Sequence, residues 1–570
     1  MITRVVLALA LSASPVVTPA VGAPGPCPVP VPAGTTCGFL EVPERRDAPG
    51  RTIKVGYAVR ASSAPGRRPD PIVYMSGGPG SASMQLMGFL SQMFPDRDVV
   101  TVEQRGSRYS QPSLACPETA QALLGQLRRP RADVGAAAAR CRARLREQGV
   151  DLRGYHTKEI AADVVALRRE LGYTRWNLFG VSYSTRVMMD VAAADPGAVR
   201  SVVLDSYLPE SVAWYDDADR NLGDAMAELG VRDRFEAMIA RLNRSPALVP
   251  TLDPLLGREF TARMSGDDVA TILAEALHDA EVAAVAPALV SALAEGHDEL
   301  LRPLADAVGE GLVSHEFGLY HAVQCQDEVP FNTFTTKSRL FTVNSDKAVC
   351  DAWRLPKSAP VNATTTAPVH VVGGQYDPTT PPRTAEAAAA ALPAERFREY
   401  PRMSHAVFLA SGCAREQIVD FVGDPASQFV RPCLDRRVPA GFQANDVHVS
   451  AAPYQISLAP WLAAPFALFA LASLVQFVPA ALKGRALPAF GGLAGVAFAW
   501  LVAESVVTMA NANESALAVG LPRTTGLYTW LAVASVVLSG AALIRERRPP
   551  QIAAAVIGAG FLIWWMAWVL

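Results

Sequence analysis

Ser182 is the side chain from which chemistry can first be argued. It sits in Gly180-Val181-Ser182-Tyr183-Ser184, between the strand-like run Trp176-Asn177-Leu178-Phe179 and a helix-like stretch reaching about Ala194. A serine at such a sharp strand-to-helix turn is lifted out of the fold, open to substrate and to a histidine. The helix N-terminus behind it offers N–H groups and a favourable dipole to an incipient oxyanion. Two further residues suit nucleophilic acyl transfer. Asp377 follows the buried strand-like run Pro368-Val369-His370-Val371-Val372-Gly373-Gly374, and His405 comes later in Met403-Ser404-His405. In this order the histidine takes the serine's proton and returns it to the leaving group, while the aspartate fixes the tautomer and balances the imidazolium.

Each role has rivals. Asp205 ends the run Val202-Val203-Leu204-Asp205, and a carboxylate at that strand end is also within geometric reach; chain order favours Asp377. His370 lies inside a strand, His448 adjoins an apolar segment, His156 precedes the nucleophile, and His278, His297, His315 and His321 precede the acid strand. Upstream, Pro71-Ile72-Val73-Tyr74-Met75 runs into Ser76-Gly77-Gly78-Pro79-Gly80, a glycine turn where backbone can approach a ligand closely. The N–H of Gly78 and that of Tyr183 are the candidate oxyanion hole.

Together, Ser76-Gly77-Gly78-Pro79-Gly80, Val102-Glu103-Gln104-Arg105-Gly106, Gly180-Val181-Ser182-Tyr183 and Gly374-Gln375-Tyr376-Asp377-Pro378-Thr379-Thr380-Pro381 resemble the proline iminopeptidase and tripeptidyl aminopeptidase family of serine exopeptidases. The resemblance covers roughly residues 35 to 435. Ser76, Glu103 and Ser184 stand where that family commonly has His, Asp and Gly. The resemblance implies an α/β-hydrolase fold with a helical cap insertion, a Ser182–His405–Asp377 triad, an acyl-enzyme, and release of one or a few residues from peptide N-termini. An exopeptidase must read a cation at a fixed distance from the scissile carbonyl. The family carries an acidic residue just after a cap cysteine, which points here to Asp327 and Glu328 after Cys325, with Asp327 favoured. An esterase or amidase on the same triad, acting on a small or lipid-derived substrate, is the alternative; a catalytically silent sensor or binding module is the second.

The elements that must position these residues are readable in part. Ile160, Val164, Leu167 and Leu171 recur at helical spacing, with Thr157 as a cap, on the helix leading to the elbow strand. Strand-like and helical runs alternate to about residue 208; residues 209–359 are Ala- and Leu-rich with no strong strand until Val369, which predicts a helical cap inserted between the two halves of the core, 24–208 and 360–440. Such a cap restricts access and excludes water.

The remaining composition is not that of a soluble enzyme alone. The 570 residues are 50% hydrophobic with net charge -2, and mean hydropathy is +0.18. The lack of a basic tract argues against nucleic acid. No His-Glu-x-x-His, paired Cys-x-x-Cys or phosphate-loop motif occurs, so no cofactor or metal is implied. Residues 1–23 read as an export signal, with Arg4 before an apolar Val5–Leu11 core and small residues at Ala20 and Ala23. The 8 cysteines fall into neighbour pairs 27/37, 116/141, 325/350 and 413/433, as an exported chain favours.

After a linker at 441–457, four apolar stretches at about 458–480, 488–510, 526–544 and 551–570 predict an all-α four-helix transmembrane bundle. Lys483, Arg485, Arg545, Arg547 and Arg548 lie in the first and third connections, which places those inside and the hydrolase in the extracytoplasmic space, a multi-pass cell-membrane protein. Peptide or small-molecule substrate and membrane are then the implied partners. Glu504 within the second stretch is read as a snorkelling or helix-contact residue, and Trp564, Trp565 and Trp568 as an interfacial belt.

Overall fold

Short runs of wholly buried residues form the centre of the sheet, as expected where helices cover both faces. The computed structural model describes residues 26–48, 50–358, 363–392, 395–427 and 440–570. Its first ten strands are β1 (Thr35–Pro43), β2 (Thr52–Arg60), β3 (Ile72–Met75), β4 (Val99–Val102), β5 (Trp176–Val181), β6 (Val199–Asp205), β7 (Ala247–Asp253), β8 (Arg258–Met264), β9 (Val369–Gly374) and β10 (Glu395–Tyr400). Eight of them make one sheet in the order β1-β2-β4-β3-β5-β6-β9-β10. β1, β2 and β4 pair antiparallel, and β4 through β10 run parallel. Every residue of β3, β4, β5 and β9 is buried. Because β5, β6 and β9 are neighbours, Ser182, Asp205 and the turn after Gly374 emerge side by side at the carboxyl edge, where open α/β sheets hold their ligands.

The expectation of a strand-free segment at 209–359 is corrected by the hairpin β7–β8, paired from Ala247↔Met264 to Asp253↔Arg258. Its alternation is hidden in the sequence because Leu248 and Leu252, 71% and 45% exposed, occupy the outward positions of β7. The period of two is real in burial but not in hydropathy. The other elements between β6 and β9 are helices, among them Gly266–Ala276, Ala280–Glu295, Phe317–Asp327 and Phe341–Trp353. Disulfides join Cys27 to Cys37, Cys116 to Cys141 and Cys325 to Cys350, as paired above. Cys413 is also disulfide-bonded; its expected partner Cys433, like the export signal at 1–23, lies outside the described residues.

The chain divides into two compact units. One gathers residues 284–303 with the chain beyond 438, so part of the segment read as cap groups elsewhere. The reason is composition: the helix Ala280–Glu295 is apolar nearly all round, AEVAAVAPALVSALAE, and such a helix must be covered on every side. Within this unit the Phe442 N–H donates to the Ala284 carbonyl at 2.9 Å.

The same unit holds four helices long and apolar enough to cross a membrane, Pro460–Leu482, Ala486–Ala512, Thr524–Glu546 and Pro549–Val569. Close approach is made by small residues. A Cβ on Gly492 would lie 2.5 Å from the Phe477 nitrogen, and one on Gly495 2.1 Å from Ser473 Oγ. Gln476 donates to the Pro488 carbonyl at 3.1 Å and accepts from Ser539 Oγ at 3.0 Å, satisfying a buried amide. The two ends of the bundle differ. At one, β11 (Val447–Val449) pairs antiparallel with β12 (Gly520–Pro522), and Ser450 Oγ donates to the Val569 carbonyl at 2.5 Å. At the other, Arg485 and Arg548 lie 3.5 and 3.8 Å from the Glu546 carboxylate. Trp565 is not a belt residue: it is 3% exposed, and its indole N–H donates to Thr529 Oγ1 at 2.9 Å inside the bundle. Glu504 faces outward from its helix.

Candidate active site

Ser182 adopts φ +57°, a left-handed conformation that a non-glycine residue holds only under constraint. The constraints are visible. Its N–H donates to the Asp205 carbonyl at 2.9 Å, and the helix Ser184–Ala194 begins two residues on, with Tyr183 at its N-cap. Ser184 explains itself here. Its hydroxyl accepts from the Val181 N–H at 2.8 Å and donates towards the Met75 carbonyl, 2.7 Å away, so it stitches the elbow to the end of β3. A glycine would leave that position without this tie.

The loop Ser76–Gly80 lies directly against Ser182. A Cβ on Gly77 would stand 2.8 Å from Ser182 Cβ and 2.7 Å from the Val181 carbonyl oxygen, so only glycine fits. Gly78 has φ +104°. Three consecutive side chains after β4 hold this loop and its surroundings. Glu103 Oε1 accepts from the Ser83 and Met84 N–H groups, both at 2.9 Å, capping the loop's exit. Burial pushes this carboxyl up to about 7 despite those donors. Gln104 Nε2 donates to the carbonyls of Ser76 and Gly77 at 2.8 and 2.9 Å, and its Oε1 accepts from the Gly80 N–H at 3.0 Å. Arg105 forks onto Asp163 at 2.7 and 2.6 Å and so fixes the helix Thr157–Glu170 that leads into β5.

His405 Nδ1 lies 2.7 Å from Asp377 Oδ2. Asp377 is buried and otherwise satisfied by the Thr379 and Thr380 N–H groups at 2.8 and 2.9 Å and by Thr380 Oγ1 at 2.6 Å. Burial alone would raise its affinity for a proton; the imidazole's charge and hydrogen bond outweigh that and hold the carboxyl well below the usual range. Burial likewise pushes His405 down, but Asp377 outweighs it and raises the imidazole above its ordinary value. Asp205, the rival acid, is committed elsewhere. Its two oxygens accept from the Val407 and Phe408 N–H groups at 3.0 and 2.8 Å, tying the loop after His405 to the strand end whose carbonyl holds Ser182. Buried there, its carboxyl is pushed up to about 6.

Asp327 reaches Tyr183, the neighbour of Ser182, through Thr157. Its Oδ2 accepts from Thr157 N–H at 2.7 Å and Thr157 Oγ1 at 2.6 Å, and Thr157 Oγ1 is 2.9 Å from the Tyr183 hydroxyl. Thr157 is therefore the first helical residue and not the cap expected of it; the capping carboxylate comes from 170 residues away. Glu328 pairs with the buried Arg186 and accepts from the Trp214 N–H at 3.2 Å. Sequence reasoning passed over Asp190, on the helix behind Ser182. Both its carboxylate oxygens are buried with no hydrogen-bond partner among the described residues. Burial first, then the charges of Glu210 and Asp327, push its carboxyl up to about 7. The helical register of Ser184–Ala194 could have flagged it as an acid on an otherwise buried face.

Residues 70–257 match the family model described as alpha/beta hydrolase fold, and residues 340–428 match that described as TAP-like protein. The chain is a serine hydrolase of the α/β-hydrolase fold, related to peptidases. The serine protease Hip1 of Mycobacterium tuberculosis (strain H37Rv) is 24% identical to it over 415 residues, spanning 62% of this chain and 78% of that protein. A probable proline iminopeptidase of Streptomyces coelicolor is 29% identical over 211 residues, 35% of this chain and 54% of its own length. The crystal structure of a proline iminopeptidase from Mycobacterium smegmatis aligns with TM-score 0.38 and 16% identity, over 68% of this chain and 98% of that one. In this hydrolase the two matched stretches carry Ser182 and the Asp377–His405 pair respectively.

Proposed function

We propose that this hydrolase is a membrane-anchored, extracytoplasmic aminopeptidase acting through Ser182, His405 and Asp377. The observation that carries the reading is the 2.7 Å contact between His405 Nδ1 and Asp377 Oδ2 on the strand edge beside the strained Ser182 elbow. With Nδ1 held by the carboxylate, Nε2 is the nitrogen left to take the Ser182 proton. Ser182 Oγ then attacks the scissile carbonyl, the N–H groups of Gly78 and Tyr183 receive the oxyanion, and His405 protonates the leaving amine. Water enters against the acyl-enzyme by the same base.

The peptidase choice is supported by the relatives named above and by the acids around Tyr183. Asp190 feels the charges of Glu210 and Asp327, and Tyr183 those of Asp327 and Asp190, so that these acids, offset in part by the Arg186 guanidinium, gather beside Tyr183 where an α-ammonium group would be read. Asp327 reads the amine in this scheme, and Glu328 fixes it in place by clamping Arg186. The orientation is supported by the basic connection residues lying at the bundle end opposite β11–β12. The experiment is direct. Purified full-length protein should take a fluorophosphonate label that Ser182→Ala abolishes, and should cleave peptides with an unblocked N-terminus far faster than their N-acetylated forms. Full labelling of folded Ser182→Ala would refute the nucleophile; equal rates on acetylated peptides would refute amine reading and favour an esterase or amidase.

A further inference from the structure

His278 stands at the corner after the helix Gly266–Ala276, and the acyl-transfer scheme does not use it. Its imidazole nonetheless lies on the face of His405, with ring centroids 4.6 Å apart and planes inclined by 28°. Its Nε2 is 2.5 Å from Thr379 Oγ1, in the turn whose N–H groups hold Asp377. The preceding residue joins in, since the Leu277 carbonyl accepts from the Ser404 hydroxyl. One corner of the chain between β6 and β9 thus touches the acid turn and the histidine loop together.

We propose that His278 is a positioning residue for His405, holding the plane of its ring and shielding that face from water, so that the base is competent only while this corner is seated. The inference rests on His405 being the catalytic base. The contacts to Asp377 Oδ2 at 2.7 Å and Thr380 Oγ1 at 3.3 Å both fall on Nδ1, so the imidazole can still tilt about that one edge, and a tilt swings Nε2 away from Ser182. Misplacement of a catalytic group by about 1 Å can cost about a hundredfold in rate. The shield works only while His278 stays uncharged as His405 takes its proton, since a charged ring there would draw water to that face and repel the imidazolium. The groups facing His278 are His405, Glu275, Asp377 and His315, with Glu275 Oε2 3.7 Å from Nδ1. Those facing His405 are Asp377, Asp205 and Glu275, each of which raises its affinity for a proton. Burial, then the neighbouring His405, hold His278 below the ordinary histidine value, while Asp377 raises His405, so the first proton goes to His405.

The test uses full-length protein with turnover normalised to fluorophosphonate-titrated sites. His278→Ala should lower kcat per site about tenfold or more with KM changed less than about twofold. It should also move the acid limb of kcat/KM to higher pH, because water reaching the opened face stabilises the imidazolium. His278→Phe, which keeps an aromatic face but not the contact to Thr379 Oγ1, should recover most of the loss and remain about threefold below wild type in kcat. A variant that loses only active fraction, with kcat per site and acid limb unchanged, would show a structural role and overturn the proposal. If His278→Ala does not fold, Thr379→Val decides: a fall in kcat of about threefold or more supports the tie, and wild-type kcat overturns it. His405→Ala is the control that separates the two readings, since retained activity there would sink the triad itself and leave nothing for His278 to position.

Discussion

Gln104→Leu puts a shorter, branched side chain at a fully buried position and removes every polar atom from it. Three hydrogen bonds of 2.8, 2.9 and 3.0 Å vanish, and with them the side chain that ties the Ser76 and Gly77 carbonyls to the Gly80 N–H. The Gly77 carbonyl keeps the Ser81 N–H at 3.3 Å, but the Ser76 carbonyl and the Gly80 N–H are left unpaired in a buried site, at a cost of about 1–3 kcal/mol each. The loop escapes part of that cost by moving to find water, and the movement carries the Gly78 N–H off the oxyanion position. Outright loss of an oxyanion donor costs about 10²–10³ in kcat; displacement without loss should cost about 10- to 100-fold. Gln104→Glu sharpens the reasoning. One carboxylate oxygen still accepts from Gly80, but the other faces two carbonyl oxygens, so the variant should be at least as impaired as leucine at neutral pH and recover relative to it as acid supplies the missing proton. Steady-state kcat on a small ester, normalised to titrated sites, is the assay. If Gln104→Leu turns over within about twofold of wild type per site, the side chain does not hold the oxyanion loop and the argument fails.

Three further outcomes follow from the geometry. Activity should rise with pH through a midpoint above 6.5, because His405 works only when neutral and Asp377 raises its proton affinity above that ordinary value; a kcat/KM profile with its acid limb below 6.5 would contradict the pairing. Glu103 is raised from 4.5 to about 7, so its proton favours the fold fully below about pH 4.5 and that contribution is lost as pH rises from there through 7, by about 3 kcal/mol in all; thermal melts of Glu103→Gln in detergent should show a pH dependence flatter than wild type by that order. Reporters fused at residues 484 and 547 should behave as cytoplasmic and one at 515 as external, and the reverse pattern would overturn the orientation.

The residues proposed to do the chemistry were legible because chemistry restricts both their type and their order along the chain. Ser182, Asp377 and His405 could be named as candidates from strand ends, turns and sequence order alone. The residues that hold those three in place were not legible, for a physical reason. Asp205 looks like a second acid until its oxygens are seen on the Val407 and Phe408 N–H groups. Ser184 looks like a departure until its hydroxyl is seen bridging two strands. Thr157 looks like a cap until a carboxylate from a distant helix is found capping it. In each case the deciding partner is remote in sequence, and local pattern carries no trace of it. The membrane helices sit at the other extreme, since length and hydropathy are properties of the segment itself. The hairpin β7–β8 failed because apolar side chains on its outward face erased the alternation that marks a half-buried strand.

The sealed end of the bundle bears on how the protein can be handled. His448 Nε2 lies 3.1 Å from the carbonyl oxygen of Leu570, and Ser450 donates to the carbonyl of Val569, so residues 569 and 570 are clasped by the segment through which the chain enters the bundle. A purification tag or fluorescent protein inserted at 446–450 would prise that clasp open together with the pairing to Gly520–Pro522. The basic connection at 483–485, remote from the clasp along its helices, is the gentler place for an insertion.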